Sequence, residues 1–421
     1  MNKKIRICVI GCGGFANYFV PLFKAHPLVE KTAVCDLIPE RAQEYSEKYG
    51  VPTVRSFEEV LASGDFNAVA IITQRYTHGE LVKRALEAGK NVYSAVPCGI
   101  TVEEIKDIEA LVRKTRLTYS MGETGYYRAQ AIYCRDLFKK GVFGDFVYGE
   151  AQYNHDIRNM EKSFKRSGGD DWKKYAGFPP FFYPTHSTSM ILGAMPGVRA
   201  VSVVAEGYES KTRKDIFGYG DTNFYGNPFA NCSMLMKLSN GGVVRISENR
   251  CIGWKAPETY ISKFYGSDAA YEFAVAKHYL ETWSDKGDGS VDIKDVSDLL
   301  TPASYHNDLK EKYEETLNEI ANGGRFCEGT PIHPTARLPR EFDGMPNGHN
   351  GTHHFMVDDF CKAAYTGKLS PTNIWEAARF NLPGLVAHES ALRGGIPLEV
   401  PYLGEPPKDW ELLDPDGYYK N

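Results

Sequence analysis

Apolar and polar positions trade places in a regular rhythm over the first 120 or so residues of the chain. Short apolar runs at Ile5–Ile10, Lys31–Asp36, Asn67–Thr73, Asn91–Ala95 and Leu117–Met121 predict strands. Between them, charged stretches with apolar residues three and four apart predict helices at Pro39–Tyr49, Phe57–Ala62, Glu80–Ala88 and Val102–Lys114. Leu81, Val82, Ala85 and Leu86 line one side of the third helix, and Gly89 stops it. Pro39 opens the first and Gly50 follows its end, the order that helix chemistry favours. Asn67–Thr73 is apolar throughout, as in a parallel strand covered on both faces. Strand and helix in alternation predict an α/β fold with a doubly wound parallel sheet.

The rhythm changes after Gly125, which divides the chain into domains 1–125 and 126–421. A helix at Ala129–Lys140 precedes strand candidates at Phe146–Asn154, Arg199–Glu206, Asn231–Leu238, Val243–Glu248, Tyr260–Tyr265 and Ala270–Phe273. Ser239-Asn-Gly-Gly242 is a hairpin signal between two of them, so this second sheet is expected to be large, open and mostly antiparallel. Residues 280 to about 350 are polar and turn-rich, with one helix expected at Asn307–Ala321. Helices at Phe355–Tyr365 and Ile374–Arg393 follow.

The stretch Ile5–Ala16 carries the first chemistry. A buried strand runs into a glycine turn and then a helix, the arrangement that holds a pyrophosphate. Gly11 permits the tight turn, Gly13 lets phosphate approach the backbone, Gly14 and Phe15 complete the turn, and Ala16 allows close helix-on-strand packing. The helix N-terminus is expected to face the anion. Twenty residues past Ala16, Asp36 ends the second strand, where a carboxylate accepts from a ribose diol and repels a 2′-phosphate. NAD is therefore favoured over NADP. Arg41 lies either over the adenine or on the solvated face of its helix. Cys12 reads as a small turn residue or, less simply, a reactive thiol.

The 421 residues carry a mild net charge of −5, without a basic block interleaved with aromatics, which argues against nucleic acid and anionic membrane as partners. The apolar run after Met1-Asn-Lys-Lys is too brief for a signal peptide and is taken as the first strand. Nine cysteines without a C-x-x-C pair suit reduced core residues and a cytoplasmic protein. No metal site is predicted.

Several segments further along resemble the Gfo/Idh/MocA family, the glucose–fructose oxidoreductase and inositol dehydrogenase group. These are Ile71-Ile-Thr-Gln-Arg-Tyr-Thr-His78, Leu86-Glu-Ala-Gly-Lys-Asn-Val-Tyr-Ser-Ala-Val-Pro97, Thr185-His186, and Ala387-His-Glu-Ser-Ala-Leu-Arg-Gly-Gly395. The likeness implies a Rossmann domain followed by an open α/β sheet domain, with Thr73, His78, Val96 and Pro97 beside the cofactor and His186 as the catalytic histidine. It implies a homo-oligomer, dimer or tetramer, formed through the C-terminal sheet. It also brings out departures. Where the family has Glu-Lys-Pro, this chain has Ala95-Val96-Pro97, so the lysine that polarises the reacting hydroxyl is absent. Phe182 and Ser189 replace two frequent aspartates. Pro97 retains the tight turn, where a cis bond is possible.

Oxidising a secondary alcohol requires a base for the hydroxyl proton, and an imidazole suits the task. His186 is the first candidate and Tyr183 the second, since a phenol can donate a proton or hold an alkoxide. In Gln152-Tyr-Asn-His-Asp156, strand alternation puts Tyr153 and His155 on one face and Asn154 and Asp156 on the other; the first pair is favoured for the cleft. His353 and His354 read as a helix entry that could also approach the site. Tyr126, Tyr127, Trp172, Tyr175 and Trp254 suit sugar faces or ordinary cores equally. The leading expectation is an NAD-dependent oxidoreductase acting on a secondary hydroxyl of a sugar, glycoside or polyol. Its alternatives are a redox-neutral glycoside hydrolase or lyase that retains NAD, and a dinucleotide-binding protein without turnover.

Overall fold

A computed structural model describes residues 3–253, 260–274, 277–286, 288–301 and 329–417. Trp254 and the helix expected at Asn307–Ala321 lie outside the described residues. The chain forms two compact units: residues 1–128 with 301–378 and 403–421, and residues 129–300 with 379–402. The first crossing, at 128/129, falls close to the change of rhythm after Gly125, whereas the later crossings had no counterpart in the sequence pattern.

In the first unit, strands β1 (Ile5–Ile10), β2 (Val29–Cys35), β3 (Ala68–Ile71), β4 (Asn91–Ser94) and β5 (Tyr119–Met121) form one sheet in the order β2-β1-β3-β4-β5. All four pairings are parallel. Every residue of β3 is buried, which explains why its sequence lacks alternation. Helices α1 (Val20–Ala25), α2 (Pro39–Tyr49), α3 (Phe57–Ala62), α4 (His78–Glu87) and α5 (Val102–Thr115) connect the strands. Their ends follow local chemistry: Gly50 closes α2 at φ 60°, and Thr101 caps α5 by accepting from the Glu104 N–H at 3.1 Å.

One expectation is corrected here. The glycine turn leads into a 3₁₀ segment, Gly14–Tyr18, and only then into the six-residue α1. Pro21 is the cause: an α-helix begun at Gly14 would carry it in the interior, where it lacks an N–H and its ring meets the carbonyl four residues back. The chain restarts so that Pro21 falls in the first turn of α1.

The second unit opens with α6 (Ala129–Lys139) and β6 (Phe146–Asn154). Helices α7 (Ile157–Gly168), α8 (Trp172–Ala176) and α9 (Thr185–Leu192) follow, then β7 (Ala200–Glu209), β8 (Phe229–Leu238), β9 (Val243–Asn249), β10 (Tyr260–Gly266), β11 (Ala269–Ala274), β12 (Lys277–Trp283), β13 (Val291–Asp295) and β14 (Leu398–Glu399). The sheet order is β13-β12-β11-β10-β6-β9-β8-β7-β14. Only β6 and β9 pair in parallel, so the expected mostly antiparallel sheet is present. Strands β12 and β13 occupy a stretch expected to be irregular. The side chains of β13 are all exposed and those of β12 are mostly half-buried, with only His278 buried, so neither strand shows the apolar alternation by which a strand is recognised. α7 and α8 were not anticipated either; Ile157, Phe164 and Ala176 pack with Ile216, Phe217 and Ala230 beneath an otherwise charged surface.

The helices His353–Thr366 and Ile374–Leu392 match expectation. No described cysteine is in a disulfide. No helix of the described residues is long and apolar enough to cross a membrane.

Candidate active site

The first unit carries the glycine turn. Gly11 has φ +97°, and a Cβ there would lie 2.4 Å from the Ile72 carbonyl oxygen, so only glycine allows β1 to end against β3 in this way. At Gly13 and Gly14 an added Cβ would meet nothing within 4 Å: the backbone faces open space, as close approach of a phosphate requires. Tyr45 donates to the Gly13 carbonyl at 2.6 Å and fixes the turn from α2, a support the sequence reading missed. Ala16 is fully buried and Phe15 stands edge-on to Phe19.

Asp36 follows β2, and its carboxylate accepts from the Cys12 N–H at 2.6 Å and the Ile38 N–H at 2.8 Å. A carboxylate has about four acceptor positions, so this geometry anchors the turn and still suits a ribose diol. Burial and the neighbouring Asp36 charge push the Cys12 thiol up to about 12, which makes it an inert turn residue. The Arg41 charge acts on Cys12 in the opposite sense, placing Arg41 in the electrostatic reach of the turn.

Thr73 and Thr77 share a hydroxyl hydrogen bond of 2.7 Å just beyond β3. His78 is buried, with Nδ1 3.0 Å from the Pro97 carbonyl and Nε2 3.2 Å from the Thr73 carbonyl. Desolvation holds its pKa down to about 4, so it is neutral at pH 7 and ties the Thr73 and Pro97 loops together from inside. It therefore positions those loops, rather than reaching a ligand itself. The Val96–Pro97 bond is cis, and Ala95 and Val96 are buried apolar residues where an acid and a lysine were the familiar pattern.

The second unit gathers the remaining candidates into one cluster. Tyr153 on the central strand β6 lies opposite Tyr260 on β10 and Glu248 on β9, three side chains in one row across the sheet. Helix α9 lays its first turn over that row. Its His186 is 2 % exposed, with its ring 5.0 Å from Tyr153, 4.8 Å from Tyr183 and 5.3 Å from Tyr260, each edge to face. Tyr183 Oη is 2.6 Å from His186 Nε2, and Tyr153 Oη is hydrogen-bonded to His155 Nδ1. All four catalytic candidates are thus assembled as two phenol–imidazole pairs whose rings touch.

Behind them lies a charged pair that the sequence reading missed. Glu248, fully buried, accepts from the Ser187 hydroxyl at 2.5 Å and pairs with Arg250 at 3.1 Å. The Arg250 guanidinium stands over the Tyr153 ring at 5.0 Å and the Tyr183 ring at 5.9 Å. Glu248 near the end of β9 and Arg250 just past it, a Glu-x-Arg spacing, were the available signal, because residues two apart in extended chain share a face. Gly384 lets the helix Ile374–Leu392 press against the Tyr183 turn, where a Cβ would lie 2.3 Å from the Phe181 carbonyl oxygen.

Asp156 caps α7 and binds Arg158, while Asn154 accepts from Asn249, so that face of β6 is structural. Tyr126 and Tyr127 are core residues, Tyr127 donating to Asp359 at 2.8 Å, and Trp172 packs against the α7 core. His353 and His354 begin a helix, as expected of an entry. Among the described residues no cluster of His, Cys, Asp or Glu could hold a metal ion.

Residues 5–123 match the model of an oxidoreductase family with an NAD-binding Rossmann fold, Gfo/Idh/MocA. Over 95% of this chain, a glycosyl hydrolase family 109 protein of Streptomyces filamentosus is 22% identical, with 77% of its own length covered. A protein of the same name from Solibacter usitatus is also 22% identical over 95% of this chain and 88% of its own length. Among solved structures, levoglucosan dehydrogenase in complex with NADH superposes with a TM-score of 0.71 at 16% identity, covering 95% of this chain and all of its own. Myo-inositol 2-dehydrogenase from Lactobacillus plantarum gives 0.64 at 15% identity over 95% of this chain and all of its own. With the strand order of its first sheet, its glycine turn and residues 5–123 matching in sequence, the first unit of this chain carries the NAD-binding Rossmann domain of the Gfo/Idh/MocA oxidoreductase family.

Proposed function

We propose that this protein oxidises a secondary hydroxyl of a glycoside and uses that oxidation, with NAD retained, to cleave the glycosidic bond without net redox change. One observation carries the reading: two phenol–imidazole pairs, Tyr183–His186 and Tyr153–His155, share one buried cluster. A simple alcohol oxidation requires one base, for the hydroxyl proton. Cleavage requires a second, for the proton on the carbon next to the new carbonyl, and an acid for the departing oxygen. The sequence relatives that span 95% of the chain carry a glycosyl hydrolase name, which favours the same choice.

Bound NAD would supply the hydride acceptor and donor, held by the Gly11–Ala16 turn and Asp36 with Thr73, Val96 and Pro97 near its reactive end. The chain's own work is proton handling. His186 takes the hydroxyl proton, with Tyr183 as its hydrogen-bonded partner. Tyr153, backed by His155, removes the carbon-bound proton, and a protonated phenol returns one to the leaving oxygen. Arg250 stabilises negative charge that develops on either phenol oxygen. Val96 offers no cation to the hydroxyl, so this phenol and imidazole cluster takes over that task.

The test is a panel of nitrophenyl glycosides with the purified protein and NAD in D₂O. Release of nitrophenol without net growth of the reduced-nicotinamide band, with deuterium at the carbon beside the oxidised one, supports the proposal. Stoichiometric NADH with the glycosidic bond intact would make the protein a dehydrogenase. Bound NAD with neither product would make it a binding protein.

A further inference from the structure

Strand β13 ends the large sheet among the described residues, and all of its side chains are exposed. It reads Val291-Asp-Ile-Lys-Asp295. Successive side chains alternate, so Val291, Ile293 and Asp295 share one face and Asp292 and Lys294 share the other. On the first face Val291 is 47 % exposed and Ile293 63 %, and Trp283, opposite Val291 on β12, is 58 % exposed. These three residues form one apolar patch along the rim of the sheet.

The backbone of β13 offers a matching row of polar groups. The Ser284 N–H donates to the Ser290 carbonyl and the Val296 N–H to the His278 carbonyl, each at 2.9 Å. In an antiparallel pair, residues bonded to the neighbouring strand alternate with residues whose N–H and C=O point the other way. Residues 290, 292, 294 and 296 therefore bond toward β12, and Val291, Ile293 and Asp295 direct their N–H and C=O groups away from the sheet. Such an edge is a template for another strand unless something opposes the pairing.

Charge decides what this edge accepts. Neither Asp292 nor Lys294 is held in an ion pair among the described residues. When a second β13 lies antiparallel with Ile293 opposite Ile293, each outward residue meets an outward residue, Ile293 with Ile293 and Val291 with Asp295, so their N–H and C=O groups bond across the join. Asp292 of each strand then stands opposite Lys294 of the other. Centring the pair on Asp292 instead sets aspartate against aspartate, and centring it on Lys294 sets lysine against lysine. Parallel pairing in register does both. Opposite charges directly across a strand pair are favourable and like charges unfavourable, so Asp292 and Lys294 admit the antiparallel register about Ile293 and oppose its neighbours.

We propose that a second copy of this chain docks antiparallel on β13, centred on Ile293, and joins the two large sheets edge to edge. Asp292 and Lys294 set the register, and Val291 and Ile293 of each copy cover those of the other. The contact uses the rim of the sheet and is separate from any association through its face. A single strand pair is a small interface, so its association depends on protein concentration.

Sedimentation equilibrium over a concentration series, with Tm measured for each protein, tests the proposal. Lys294→Asp and Asp292→Lys each place like charges across the pair at exposed positions, and each should show half the wild-type mass with Tm unchanged. An equimolar mixture of these two variants sets acid opposite base at both positions and should recover the wild-type mass. The double variant, with both exchanges in one chain, should recover it as well. A wild type that matches the single variants in mass at every concentration would overturn the proposal, as would a mixture or a double variant that stays at half mass.

Discussion

Tyr183 Oη lies 2.6 Å from His186 Nε2, across the single turn in which Pro184 caps α9. The phenol and the imidazole therefore form one hydrogen-bonded unit held by a helix start. Tyr183→Phe keeps the ring and its edge-to-face packing at 4.8 Å but removes the hydroxyl. Turnover should fall by about 10²–10⁴, the usual worth of a general acid or base, while Kd for NAD stays within a factor of two. Steady-state kinetics and cofactor titration on the same preparation check this; equal losses in both would show that the hydroxyl serves structure.

Tyr153→Phe separates the second pair from the first. It leaves the Tyr183–His186 hydrogen bond in place and removes the hydroxyl bonded to His155 Nδ1. If Tyr153 handles the carbon-bound proton, the variant should still produce the oxidised sugar in a single turnover, seen as a transient reduced-nicotinamide absorbance, but should not exchange deuterium into the neighbouring carbon. Full exchange at the wild-type rate would place that proton elsewhere.

Asp36 has two duties, and one substitution divides them. Its carboxylate holds the Cys12 and Ile38 N–H groups, and its negative charge opposes a 2′-phosphate. Asp36→Asn retains one acceptor oxygen and no charge. The ratio of NADP to NAD dissociation constants should fall by about tenfold or more, in line with the loss of a close like-charge contact in a partly exposed site. An unchanged ratio would mean that the ribose end lies away from β2.

What was legible in the sequence was what the backbone alone determines. A buried parallel strand must be apolar on both faces, a turn at φ +97° must be glycine, and residues two apart on β6 must share a face. So β3, Gly11 and the pairing of Tyr153 with His155 could be read directly. Other features depend on partners far along the chain. Tyr260 and Glu248 flank Tyr153 only through strand pairing across about a hundred residues, and His78 reads as a ligand until its two ring nitrogens are seen against carbonyls. Strands β12 and β13 escaped because neither buries a patterned face, and the α-helix expected after Gly14 was displaced by the one proline in its path.

Acid should destabilise the protein through its buried histidines. His78, His333, His354 and His388 have pKa values held down to about 4, and His353 to about 3, with desolvation the leading cause in each. The unfolded chain binds a proton at each near pH 6.5, whereas the folded chain does not until about pH 4. Between those values the unfolded state holds more protons, so stability falls as pH falls, by up to about 1.4 kcal/mol per pH unit for each group. Urea midpoints from pH 7 to 4.5 should drop steeply, and His78→Gln should make the slope shallower. A slope unaltered by that substitution would show that the Thr73 and Pro97 loops open before the fold is lost.

Glu248 and Arg250 pose the sharpest separation of stability from chemistry, because both are buried and each is the other's counter-charge. Glu248→Gln leaves a buried guanidinium without its carboxylate and should cost about 3–5 kcal/mol, the usual penalty for breaking such a pair. Replacing both, as Glu248→Gln with Arg250→Met, removes the stranded charge and should recover most of that stability, since apolar groups of similar volume substitute well for buried pairs. Activity should not recover with it. The cation over the Tyr153 and Tyr183 rings would be absent, and with it the stabilisation of charge on their oxygens. Urea melts and turnover of the three proteins distinguish the cases. A double variant restored in both would reduce the pair to a packing element, whereas one restored only in stability would place Arg250 as a positioning residue acting through the two phenols.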